Sequence, residues 1–92
     1  SAVAPGGELD LDVTVVNPFD RDETATVRLV LPEGWEADPV ECELPFGPHA
    51  EAVARFRVRV GREQVRRARV AAELDVGETR FGQQGEALVD VA

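Results

Sequence analysis

The sequence predicts an all-β fold, a seven-stranded, immunoglobulin-like (fibronectin-like) antiparallel β-sandwich. Apolar and polar residues alternate with a period of two in several segments, and no helical 3.6-residue period extends over ten residues. Valine, which favours strands, occurs 15 times and is the commonest residue. Turn residues separate the alternating segments at intervals of roughly 8–12 residues, which is typical of a two-sheet sandwich.

The first half of the chain contains a short leading strand, two long strands and a shorter one. Each long strand ends at a proline-containing turn, the first at Asn17-Pro18 and the second at Pro32. The shorter strand alternates outward glutamates with inward apolar residues and ends at Pro45. These strands are predicted over residues 2–4, 8–17, 24–31 and 40–44.

The second half contains three long strands separated by glycines. Gly61 closes the first of them and Gly77 the second. Gly82 and Gly85 fall inside the last strand, where they predict a bulge or a break into two pieces. These strands are predicted over residues 52–60, 65–76 and 79–91.

The inward positions of the alternating segments predict the hydrophobic core. The strand phases place a single cysteine, Cys42, among them, where it would behave as a small buried apolar residue. The predicted core consists of Leu9, Leu11, Val13, Val15, Val27, Leu29, Leu31, Val40, Cys42, Leu44, Phe56, Val58, Val70, Leu74, Ala87 and Val89.

Two of the predicted strands carry rows of opposite charge on their outward faces. In an immunoglobulin-like sandwich the second and fifth strands are neighbours in one antiparallel sheet, so these rows would lie side by side. We therefore predict an intramolecular ladder of ion pairs, with an anion-binding stripe as the alternative. The acids are Glu8, Asp10 and Asp12, and the bases are Arg55, Arg57 and Arg59.

Charge and hydropathy exclude several classes of partner. The formal net charge is −8, which repels the phosphates of nucleic acids and of anionic membrane surfaces. The apolar runs are far too short for membrane insertion, and no segment has the pattern of a signal peptide. The length of 92 residues predicts a single domain. Because the chain begins with Ser1 and not with Met, we expect this domain to be a piece of a longer, multidomain protein.

No catalytic, metal or cofactor site is predicted. Cys42 and His49 are each the only residue of their kind, which leaves no disulfide and few metal or nucleophile constellations. Asp20, Asp22 and Glu23 form an acidic cluster that could contribute oxygens to a calcium ion, but no calcium-loop pattern is complete, and acidic turn residues more often cap their own backbone. We expect the protein not to be an enzyme.

Several short motifs carry a family resemblance that spans nearly the whole chain. They are VVN at residues 15–17, LPEGW at 31–35, LPFG at 44–47, FRVRV at 56–60 and GQQGEALVDV at 82–91. In these the chain resembles the "NEW" domain associated with alpha-galactosidases, and it is similar to immunoglobulin-like C-terminal domains of bacterial secreted hydrolases and deacetylases. The resemblance implies a non-catalytic accessory domain, a catalytic domain of the same polypeptide as its partner, and a secreted or cell-surface location.

Three functions remain open at this point. The leading one is a spacer or docking module of a bacterial hydrolase. The second is a carbohydrate- or surface-binding module, in which Trp35 stacks on a polysaccharide and Phe19 or Phe46, both in predicted loops, joins it at one end of the sandwich. For Trp35 itself we expect the other role, covering the open end of the core, with ligand stacking as the alternative. The third is a domain that adds a strand from another chain at an exposed sheet edge.

Overall fold

The computed structural model describes residues 2–92, which form two facing β-sheets and no helix. The molecule is elongated, with extents of 44 × 19 × 17 Å. Its strands are β1 (Ala2–Val3), β2 (Glu8–Val16), β3 (Glu23–Val30), β4 (Glu36–Asp38), β5 (Glu41–Phe46), β6 (Glu51–Arg59), β7 (Val65–Val76) and β8 (Thr79–Val91).

The two sheets differ in size. One has five strands in the order β1-β8-β7-β3-β5, and the other has three in the order β2-β6-β4. Neighbouring strands are antiparallel, except that β1 runs parallel to β8 with Ala2 opposite Asp90. The all-β, two-sheet architecture expected from the sequence is therefore confirmed.

The structure divides residues 2–92 into eight strands where the sequence predicts seven. The additional strand, β4, pairs with the end of β6 and is only three residues long, too short for a periodic pattern to reveal. Val40 follows it in a bend and is 45% exposed, so its assignment to the core is wrong. The backbone carbonyl of Val40 accepts a hydrogen bond from Leu29 at 3.0 Å, which holds the bend against β3.

The core lies between the sheets, and the predicted alternation of inward and outward residues is observed along β2, β3, β5 and β6. Eight of the sixteen predicted core residues are buried, namely Val15, Val27, Leu29, Phe56, Val58, Val70, Leu74 and Val89. Seven are half-buried, namely Leu9, Leu11, Val13, Leu31, Cys42, Leu44 and Ala87, and all of these except Ala87 pack against that core. Five of the seven lie on β2 and β5, which are edge strands. An edge strand has a neighbour on one side only, so its side chains are less completely covered than those of a central strand.

Asn17 fastens the loops at one end of the sandwich. Its side chain is fully buried, and its amide nitrogen donates hydrogen bonds to the carbonyls of Arg21 at 2.8 Å and Gly47 at 2.9 Å. Its side-chain oxygen accepts from the backbone N–H of Phe19, and its own backbone N–H donates to Ala50. Because both polar atoms of the buried side-chain amide are hydrogen-bonded, this one residue holds the segments on either side of it in place.

Candidate functional site

Trp35 lies at the end of the sandwich where β6 ends and β7 begins. The residue is 9% exposed, and an ideal Cβ placed on Gly61 would lie 3.2 Å from the Cδ1 atom of its indole. Its backbone N–H donates to the carbonyl of Pro32 at 3.1 Å. The ring therefore packs into the core cluster and offers no open face to a sugar.

Phe46 and Phe19 lie at the opposite end, so the expectation that either joins Trp35 in one surface is wrong. Phe46 is the last residue of β5, not a loop residue, and it is buried. The carbonyl of Phe19 accepts a hydrogen bond from His49, close to the start of β6. β6 separates these residues from Gly61, and its nine residues span about 30 Å.

Phe19 belongs to a small aromatic contact that the sequence reasoning missed. Its ring centroid lies 6.4 Å from that of Phe81, and the guanidinium carbon of Arg21 lies 4.3 Å from the Phe19 ring centroid. Phe81 is the residue that the bulge in β8 leaves unpaired, between Arg80 and Gly82. Gly82, which predicts a bulge, is the one feature of the sequence that points to Phe81, because a bulge redirects the side chains next to it.

A groove runs along the open side of the sandwich, between β2 and β8. It has a volume of about 250 Å³. We call it the side groove. Its apolar lining consists of Leu11, Val13, Leu29, Val70, Ala71, Ala72 and Ala87.

The side groove exists because the three-stranded sheet is too narrow to cover the five-stranded one. β2 is its last strand on this side, and nearly all of β8 from Thr79 to Leu88 remains exposed or half-buried. Gly85 lies on the inward face of β8, opposite the buried Ala72, yet an ideal Cβ there would meet no atom within 4 Å. The inner face of β8 therefore faces open space at this point.

The strand edges around the side groove differ from those on the far side. β4 has three residues and precedes Pro39, and β5 contains Pro45, features that protect edges from adding strands. β2 has nine residues, no proline and an unbroken register with β6. Its other edge faces no strand within residues 2–92, so alternate backbone groups there point away from the sheet.

The outer face of the three-stranded sheet carries alternating rows of charge. The arginines of β6 lie between the acids of β2 and those of β4, with Asp10 and Asp38 both in register with Arg57. The predicted pairing of the second and fifth strands is confirmed. The ion pairs are Arg59–Glu8 at 3.2 Å, Arg57–Asp10 at 3.2 Å and Arg55–Asp12 at 3.8 Å.

The outer face of the five-stranded sheet carries further ion pairs. Arg28 donates to Glu41 at 2.5 Å, and this hydrogen bond, together with the charge of the carboxylate, raises the pKa of the guanidinium above its ordinary value. Arg69 contacts Glu86 and Arg80 contacts Asp75. Since arginine is charged at any physiological pH, the raised pKa leaves the charge of Arg28 unchanged.

The other candidate positions are accounted for by local contacts. Cys42 is half-buried, and its thiol lies 3.9 Å from the carbonyl of Arg55 on the facing sheet. Glu23 binds Arg21 at 3.2 Å, and His49 is exposed in a turn. Within residues 2–92 no three His, Cys, Asp or Glu side chains converge on a metal-sized space.

Comparison with known proteins adds no assignment. No family model matches the chain, and no curated protein matches it significantly. No helix long and apolar enough to cross a membrane occurs in the described part of the chain.

Proposed function

We propose that the chain is a non-catalytic, immunoglobulin-like accessory module of a longer bacterial protein, and that it docks through its side groove onto the hydrolytic domain of the same polypeptide. The observation that carries the proposal is the side groove itself. Half-buried apolar residues, among them Leu11, Val13 and Ala87, border an open space there instead of a covering strand. An apolar groove next to an unpaired strand edge favours contact with another segment of protein.

The strand pairing supports the immunoglobulin-like assignment. In that fold the second strand pairs with the fifth, and the sixth lies between the third and the seventh. Here β2 pairs with β6, and β7 lies between β3 and β8, which is the same relationship once β4 and β5 are taken as the connection between β3 and β6. The resemblance to "NEW" domains of alpha-galactosidases supports the accessory role, the hydrolytic partner and a secreted or cell-surface location.

Binding of polysaccharide is the weaker alternative because its main residue is covered. A sugar-binding platform needs an exposed planar ring, whereas Trp35 is packed against Gly61. Phe19 is half-buried beneath Arg21, and Phe46 is buried. These positions favour structural roles at the two ends of the sandwich.

Hydrogen exchange tests the docking function directly. Backbone amides of residues 1–92 would be compared between the isolated chain and the same residues within the full-length polypeptide. We expect slower exchange in the full-length protein at residues 11–14 and 84–87, which line the side groove, and unchanged exchange at β4 and β5. Equal exchange along the whole chain would overturn docking and leave a spacer.

A further inference from the structure

We propose that the side groove receives one extended peptide strand, which pairs with the free edge of β2 and alternates apolar with basic residues. The inference rests on the proposed docking function and specifies the chemistry of the docked segment. It follows from three features of the groove: the edge that borders it, the space on its inward side and the charge on its outward side.

β2 is the edge best suited to add a strand. Its nine residues pair with β6 in consecutive register from Glu8 to Val16, so the edge is regular along its whole length. β8, on the other side of the groove, has register shifts near Gly82 and Gly85, and bulges disrupt further pairing. An added strand beside β2 widens the three-stranded sheet and covers the exposed inner face of β8.

The inward side chains of the added strand must be apolar and small. They would point into the side groove, whose volume of about 250 Å³ is bordered by Leu11, Val13 and Ala87. The absence of any atom within 4 Å of an ideal Cβ at Gly85 shows where such a side chain would lie. Side chains of the size of alanine or valine suit a groove of this volume. Valine also favours an extended backbone.

The outward side chains of the added strand must be basic. The acids of β2 have arginines on one side only, because β6 is their sole neighbour in the sheet. The side chains of Asp10 and Asp12 remain 71% and 59% exposed despite their ion pairs. Lysine or arginine on a strand beside β2 would continue the alternation of charge across the sheet, and each opposite-charge pair stabilises the contact.

The same acids argue against a second copy of this chain as the occupant. Pairing two β2 edges antiparallel would place the row of Glu8, Asp10 and Asp12 opposite its own copy. Like charges directly opposite one another destabilise a sheet. The net charge of −8 adds a general repulsion between copies and a general attraction for a basic segment.

A blocked peptide of alternating lysine and valine, about as long as β2, tests the inference in an amide-shift NMR titration of the 92-residue chain. We expect the shifts to concentrate on residues 9–15 and 84–87. A peptide with glutamate in place of each lysine should bind much more weakly, and a lysine–valine peptide interrupted by proline should not bind. Shifts elsewhere, or equal binding of the glutamate peptide, would overturn the inference.

Two variants test separately how much the side groove and the acids of β2 contribute to peptide binding. Gly85→Val should fill the groove with its own side chain and abolish binding, without disturbing the fold. Asp12→Lys should weaken binding by about three- to tenfold through lost cross-strand attraction, whereas Glu63→Lys, an equal change of charge in an exposed turn, should have little effect. If Asp12→Lys and Glu63→Lys weaken peptide binding equally, the effect comes from net charge alone. That result would overturn the inference that the acids of β2 recognise basic side chains of the peptide.

The two proposals fail in different ways. If the peptide does not bind but the full-length protein protects the side groove from hydrogen exchange, the groove docks something other than a basic strand, and only the present inference fails. If the full-length protein shows no protection and the peptide does not bind, the docking function fails as well.

Discussion

Asp10 and Arg57 lie directly opposite one another in β2 and β6, with 3.2 Å between Oδ1 and Nε. The pair is the centre of a three-rung ladder on the outer face of the three-stranded sheet. Because Asp38 of β4 is also in register with Arg57, the arginine lies between two carboxylates. The arginine row thus balances acids on both sides, which favours an intramolecular role for it over binding of a free anion.

Reversing the charge at the centre of the ladder should destabilise the fold. Arg57→Glu would place a third acid between Asp10 and Asp38, and we expect a loss of about 1 kcal/mol in the free energy of unfolding. Urea denaturation at low salt measures it. Added salt should shrink the effect, because these side chains are solvent-exposed.

The double variant Arg57→Glu, Asp10→Arg is the matched control. It restores one opposite-charge pair at the same positions, so part of the lost stability should return. A double variant no more stable than Arg57→Glu alone would contradict the assigned strand pairing.

The sequence predicts this ladder well because both of its determinants are local. The alternation in each strand says which residues face outward, and a general rule of sandwich topology says which strands are neighbours. The side groove is different. Whether Ala87 is covered depends on how many strands the facing sheet contains, and no pattern around Ala87 records that number.

The ends of the sandwich were harder still to predict. Phe46 precedes a turn, so the sequence places it in a loop that a ligand could reach, whereas for Trp35 the sequence favours covering of the open core, which its burial confirms. Their burial depends on contacts distant in sequence, such as that of Trp35 with Gly61. β4 was missed for the same reason, since its pairing with β6 stabilises three residues that carry no periodic signal of their own.

Removing the buried amide of Asn17 should be costly. Asn17→Ala would leave the carbonyls of Arg21 and Gly47 and the N–H of Phe19 without their present partner. We expect a loss of about 2–3 kcal/mol in the free energy of unfolding, measured by thermal or urea denaturation. Asp20→Ala, an exposed change in the same loop, should cost little. Equal effects of the two variants would show that the loop is not fastened by Asn17.

Two glycines of β8 form a matched pair that differs in backbone conformation. An ideal Cβ would meet open space at both Gly82 and Gly85, but only Gly82 has a positive φ, of 70°. Gly85→Ala should therefore stabilise the fold by about 0.4–1 kcal/mol, and Gly82→Ala should destabilise it by at least as much. Denaturation curves of the two variants measure the contrast, and changes of the same sign would contradict the bulge geometry.

Trp35 provides an optical test of the carbohydrate-binding alternative because it is the only tryptophan. Its burial predicts a blue-shifted emission that is poorly quenched by acrylamide and that moves to longer wavelength on unfolding in urea. Soluble polysaccharide should leave the emission unchanged, since the ring packs against Gly61 and not against solvent. Saturable quenching by one polysaccharide but not by others would instead require the Trp35 end of the sandwich to open. That result would favour glycan binding over the proposed docking function.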